Sequence, residues 1–139
     1  MSSKTFPDIH VQSQPTTWKY RTGWALTLLP ALALLLSALL KLTHAAVFVD
    51  QWVNKFGFPE SALTGVGLLE LSCAVLYLIP RTAIYGGILV AAFFGGATVA
   101  HVRIGDPGFI TPVMLGVLAW GGLYLRDERL RALLGGRTL

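Results

Sequence analysis

Residues 61–80, SALTGVGLLELSCAVLYLIP, decide how this chain is read: twenty residues of membrane-grade sequence with a single acid, Glu70, near the middle. A helix of that length rises about 30 Å, the thickness of a bilayer's hydrocarbon core. An ionisable side chain at that depth costs about 2.5 to 3.5 kcal/mol on insertion scales, so it turns toward protein or water and ordinarily marks function. Glu70 is therefore the residue around which the other segments are placed.

Composition agrees with a membrane reading. The chain has 139 residues, 54% hydrophobic and 13% charged, against roughly 25% charged in an ordinary soluble domain. One domain is expected. Cys73, the single cysteine, lies in the same apolar stretch, which leaves no CxxC pair and no intramolecular disulfide framework, and says nothing of compartment. The formal charge is +4, but the basic residues sit at segment ends rather than on one soluble face, so nucleic acid is not expected as a partner.

Residues 1–20 are polar, rich in Ser, Thr, Gln and Pro, and read as a disordered tail. That polar stretch ahead of the first apolar run argues against a cleavable secretory signal. Span one is expected over 22–42, with Trp18, Tyr20 and Trp24 as its aromatic belt and Pro30 as a possible kink. Ser37 and Lys41, four apart, share a face near its end. Residues 45–58 carry Phe48, Trp52 and Phe56 at i, i+4 and i+8 beside Asp50, Gln51, Asn54 and Lys55, the pattern of a short amphipathic helix lying on the membrane surface.

Span two follows over 61–80 and span three over 82–102. In the latter Gly87, Ala91 and Gly95 form a small-residue face that permits close helix approach and offers a docking face for a membrane partner or a second copy. Span four is expected over 108–125, and a basic, mildly amphipathic tail over 127–139. The membrane domain thus occupies 21–126. Eight Lys and Arg fall on one side (Lys4, Lys19, Arg21, Arg81, Arg126, Arg129, Arg131, Arg137) and three on the other (Lys41, Lys55, Arg103). The positive-inside rule then makes both termini and the 2/3 turn cytoplasmic, in a plasma or inner membrane.

Side chains on a helix lean toward its N-terminus, which tips Lys41 and His101 into the membrane and Glu70 up toward them. With Thr98, one turn before His101, and Arg103 beyond it, these residues are the candidate ligand-binding set of an outward-opening pocket between spans one, two and three. Glu70 and His101 are its candidate acid–base pair. The plainer readings are a structural ion pair for Glu70, a helix-end histidine for His101, a snorkelling lysine for Lys41, a turn contact with Asp106 for Arg103 and simple packing for Cys73. No metal is expected, since His44 and His101 stand apart with no HxxxH or CxxH spacing.

Several pieces together, SALLKLTH closing span one, FGFPE, GVGLLELSCAVLYLIPRTAIYGG, GGATVAHVRIGDP and LGVLAWGGLYLRDERLRALL, resemble the DoxX-like family of small four-span membrane proteins. The resemblance runs from span one nearly to the end. It implies an all-α integral membrane four-helix bundle, with the family's recurrent Lys, Glu and His on Lys41, Glu70 and His101. The family is named from a subunit of a terminal quinol oxidase, and other relatives have been linked to oxidative-stress complexes or receptor assembly. The implied role is an accessory or subunit of a membrane redox or stress-response system, holding a quinone-like or other lipophilic ligand; the cofactor itself stays open. Thiol-dependent relatives use cysteine pairs, which this chain lacks. Two alternatives stand beside it: a membrane isomerase or hydratase using Glu70 and His101, and a non-catalytic assembly or chaperone module.

Overall fold

A computed structural model describes residues 17–135, and among them every regular element is helical. The first helix, α1, runs Thr17–Leu42 and passes through Pro30 without interruption. It starts five residues before the expected span, so residues 17–20 are not part of a disordered tail. Backbone groups entering the membrane boundary are best satisfied inside a helix, and the Tyr20 and Trp24 rings meet edge to face across that first turn, 6.4 Å apart. The rest of the expected tail, 1–16, lies outside the described residues.

A corner follows. His44 takes a left-handed φ of 49°, ending α1, and α2 (Ala46–Asp50) continues into one turn of π-helix, Gln51–Lys55. This is shorter and more irregular than the amphipathic helix expected over 45–58. Its aromatic side chains meet the bundle: Phe48 reaches the end of α1 and Phe56 the end of α4 (Ala83–Arg103). Gly57, at φ 69°, then turns the chain toward α3 (Ala62–Leu78).

A 3-10 turn at Pro107–Phe109 leads from α4 into α5 (Ile110–Arg126). Asp127 then caps α6 (Glu128–Leu134), accepting from the amides of Arg129 and Leu130. The expected C-terminal tail is therefore partly a helix, and it buries Leu130 in the core; residues 136–139 lie outside the described part.

α1 packs on α3 and α5, and α4 packs on the same two, giving a closed ring of four antiparallel helices. Three segments are long and apolar enough to cross a membrane: Thr17–Leu42, Ala83–Arg103 and Pro107–Arg126. α3 has 17 residues, about 26 Å of rise, so length and composition alone give three spans rather than the expected four.

The inward face of α1 carries Gly23, Thr27, Pro30, Ala31, Leu34, Ala38 and Lys41, a 3.5-residue stripe. That of α3 carries Leu63, Gly67, Glu70, Cys73, Ala74 and Tyr77. Both polar members, Lys41 and Glu70, thus fall on core stripes. Between apolar helices in lipid, association rests on close packing, and two glycines set it here. A Cβ on Gly86 would lie 2.2 Å from the Tyr77 amide nitrogen, and one on Gly122 would lie 2.7 Å from the Thr27 nitrogen.

The expected small face on α4 is divided. Gly87 meets the Leu123 side chain, while Gly95 faces nothing within 4 Å. Gly86→Ala is therefore expected to destabilise the bundle by more than the usual overpacking range of about 1–3 kcal/mol, because backbone must move, whereas Gly95→Ala is expected to be neutral. Thermal unfolding of the two variants in mild detergent checks this contrast.

Candidate functional site

Lys41 lies in the last turn of α1, and its Nζ donates to Glu70 Oε2 at 2.7 Å and to Ser37 Oγ at 2.6 Å. The pair is sealed, with side-chain exposures of 6% and 2%. The remaining side of the ammonium is covered by aromatic faces, Phe48 from α2 at 4.7 Å and Phe93 from α4 at 6.0 Å to the ring centroids. α1 and α3 approach closely below it, since Gly67 has no side chain to hold off Lys41 and Leu42. An ion pair within a low-dielectric interior is stabilised only by good geometry and further hydrogen bonds, and Ser37 and the two rings supply them.

The expected convergence is half met. Glu70 and Lys41 join, but His101 turns away: its Nδ1 bonds the Ala97 carbonyl at 2.8 Å and its Nε2 lies 3.8 Å from Asp106 Oδ2. Thr98 spends its hydroxyl on the Phe94 carbonyl. Arg103 donates to the Phe56 carbonyl and lies against the Phe58 ring, rather than pairing with Asp106. Helix stagger is the reason, since Lys41 and Glu70 lean together within the core while His101 and Arg103 belong to the last turn of α4 at the bundle's end. Where an open pocket was expected, the pair is sealed, with Phe48 against the ammonium.

At that end a second cluster forms. Asp106 Oδ2 takes Lys55 Nζ at 2.7 Å, Asp106 Oδ1 takes the Gly108 amide at 3.0 Å, and the Phe56 ring meets His101 edge-on at 4.9 Å. The Lys55 hydrogen bond, helped by the Gly108 amide, holds the Asp106 carboxyl below its ordinary value.

The opposite end holds a polar group that the sequence reading passed over. Tyr77 OH donates to the Ala119 carbonyl at 2.7 Å and lies 3.4 Å from Thr27 Oγ1. Arg126 stacks over Trp24 at 4.5 Å and donates to the Tyr77 carbonyl, and Arg129 donates to the Pro80 carbonyl. Both arginines, counted above only as topology charges, also satisfy carbonyls at and just beyond the C-terminus of α3. The signal was available: Tyr77 is seven residues after Glu70, on the same face.

No group of three or more His, Cys, Asp or Glu suited to a metal occurs among the described residues. Fold and site together define a small helical integral membrane protein built around a buried Lys–Glu pair. The profile of the DoxX-like family matches residues 25–122, and the chain belongs to that family. No curated protein and no solved structure is a match for it.

Two outcomes follow from this geometry. Glu70→Gln strands the Lys41 ammonium and is expected to lower stability by about 3–5 kcal/mol, whereas the double variant Lys41→Met/Glu70→Leu regains most of it; thermal unfolding in detergent measures both. Asp106 has a lowered pKa in the folded protein, so its contribution is fully present above the unfolded carboxyl pKa and lost as pH falls through the folded one. The stability difference between wild type and Asp106→Asn should therefore close on acidification, read as melting midpoint against pH.

Proposed function

We propose that this DoxX-like membrane protein is an accessory or subunit of a membrane redox or stress-response system, and that it holds a quinone-like or other lipophilic ligand at the Lys41–Glu70 pair. The observation that carries this reading is the pair itself. Two charges buried inside an apolar bundle are commonly no more stable than apolar residues of the same volume, so a role in recognition accounts for them better than stability does.

The chemistry suits a quinone and its quinol. Lys41 Nζ has only donors and would give one to a quinone carbonyl; Glu70 has free acceptor capacity and would take one from a quinol hydroxyl. Phe48 and Phe93 supply flat apolar walls on either side of the ammonium. In this reading α3 is the fourth span, extended by the residues flanking it, both termini are cytoplasmic, and the α2 end of the bundle faces outward in an inner membrane.

A second reading, the assembly module, has an observation of its own. A groove of about 560 Å³ between α4 and α5 is lined by Ala91, Phe94, Gly95, Thr98, Gly116 and Trp120 among others, and its surface is almost wholly apolar. The isomerase or hydratase alternative is less favoured, because His101 is engaged with Ala97 and Asp106 rather than with Glu70.

The test is mass spectrometry of lipophiles that co-purify with wild type and with folded Lys41→Met/Glu70→Leu. A defined compound held only by the wild type supports the ligand reading. Identical profiles count against it, and loss of a co-purifying protein from Gly95→Leu with Glu70 intact would favour assembly.

A further inference from the structure

We propose that residues 45–56 are a hinged gate over the Lys41–Glu70 site, with Phe48 as its plug and the Lys55–Asp106 contact as its latch. The inference rests on the ligand reading only for what the gate admits; whether it opens is a separate property of the fold.

The segment is bracketed by the two residues that leave ordinary backbone space on either side of it, His44 at φ 49° and Gly57 at φ 69°. A non-glycine residue in the left-handed region is uncommon and strained, and hinges are a few terminal or loop positions that absorb such backbone changes. Between the two hinges no residue of α2 or of the π turn is buried. The π turn itself is a rare geometry, frequent at functional sites.

What holds the segment down is a small set of contacts at its far edge, among them Trp52, whose Nε1 donates to the Pro59 carbonyl at 3.0 Å and whose ring packs on Phe58. Lys55 reaches Asp106 at 2.7 Å, Arg103 donates to the Phe56 carbonyl, and the Phe56 ring rests on His101. The lysine is about half exposed, at 47%, and Asp106 is 17% exposed, and ion pairs with a solvated partner are individually weak. The latch can thus release without disturbing the packed ring of four helices, whose core lies among α1, α3, α4 and α5 with Leu130 of α6.

The hinge side has anchors of its own. His44 Nε2 lies 3.1 Å from Thr64 Oγ1 and its Nδ1 3.6 Å from Glu60, which ties that corner to the start of α3. The segment would swing about this corner, carrying Phe48 off the ammonium. The released space adjoins Lys41, Ser37, Glu70 and Phe93, a mouth for a flat lipophile with an oxygen acceptor for Lys41.

Thiol accessibility tests the gate without a ligand. A reporter, Ser37→Cys in a Cys73→Ala background, is placed in lipid nanodiscs and treated with a cationic, membrane-impermeant methanethiosulfonate reagent. Thr27→Cys in the same background, in the core at the opposite end, reports on the bundle. Breaking the latch with Lys55→Ala is expected to speed Ser37→Cys labelling by up to about fivefold, the loss of one exposed contact, and removing the plug with Phe48→Ala is expected to speed it at least as much, while Thr27→Cys stays protected. An unchanged Ser37→Cys rate in both variants overturns the gate. So does acceleration at both reporters together, which would make the segment part of the folding core. Absence of a co-purifying lipophile bears on the ligand reading alone, whatever the labelling shows.

Discussion

The contact between Lys41 and Glu70 governs much of the rest of the structure. Neither charge is tolerated alone in a dry bundle, so the last turn of α1 and the middle of α3 must sit at one height and face each other. That demand sets the register of the α1–α3 seam. It also accounts for neighbours that would otherwise look incidental: Ser37, which accepts from the ammonium, Gly67, which lets Lys41 lie against α3, and the rings of Phe48 and Phe93.

At its other end α3 is held by hydrogen bonds to backbone carbonyls. Tyr77 OH reaches across to the Ala119 carbonyl beside Thr27, and Arg126 and Arg129 take carbonyls that α3 and its following turn leave unpaired. At that end the helices are also drawn in by missing side chains, at Gly86 against Tyr77 and at Gly122 against Thr27. Since lipid is as apolar as leucine, such close approach and hydrogen bonding, rather than hydrophobic burial, is what makes one packing preferable to others. The site therefore sits in a scaffold rigid enough to hold a buried charge pair, and a helical segment with no buried residue lies over it.

The membrane character, the helices and the inward place of Glu70 were legible in the residues, because uncharged runs of membrane length and an acid within one of them are local features. The face shared by Ser37 and Lys41 was legible too, from spacing alone. The expected gathering of Lys41, Glu70, Thr98, His101 and Arg103 into one open pocket does not occur, since only Lys41 and Glu70 meet, and which residues meet depended on stagger. Sequence also overstated the tail, because nothing in a polar stretch says how far a helix continues past the membrane boundary, as α1 does to Thr17.

What the sequence determined by itself is an all-helical membrane protein with an acid inside a membrane-length run, since hydropathy and charge placement act residue by residue, while its motifs carried the DoxX-like family. What only the tertiary structure decided is the acid's partner. Lys41 and His101 both lean toward the middle of the bundle by the same helical rule, and 29 residues of chain separate Lys41 from Glu70 without fixing how far the helices slide. The slide was set by the need to pair Lys41 with Glu70 and by where neighbouring helices could approach, at Gly67 against the Lys41 and Leu42 side chains and at Gly86 and Gly122 against backbone, and those contacts exist only once four helices are side by side.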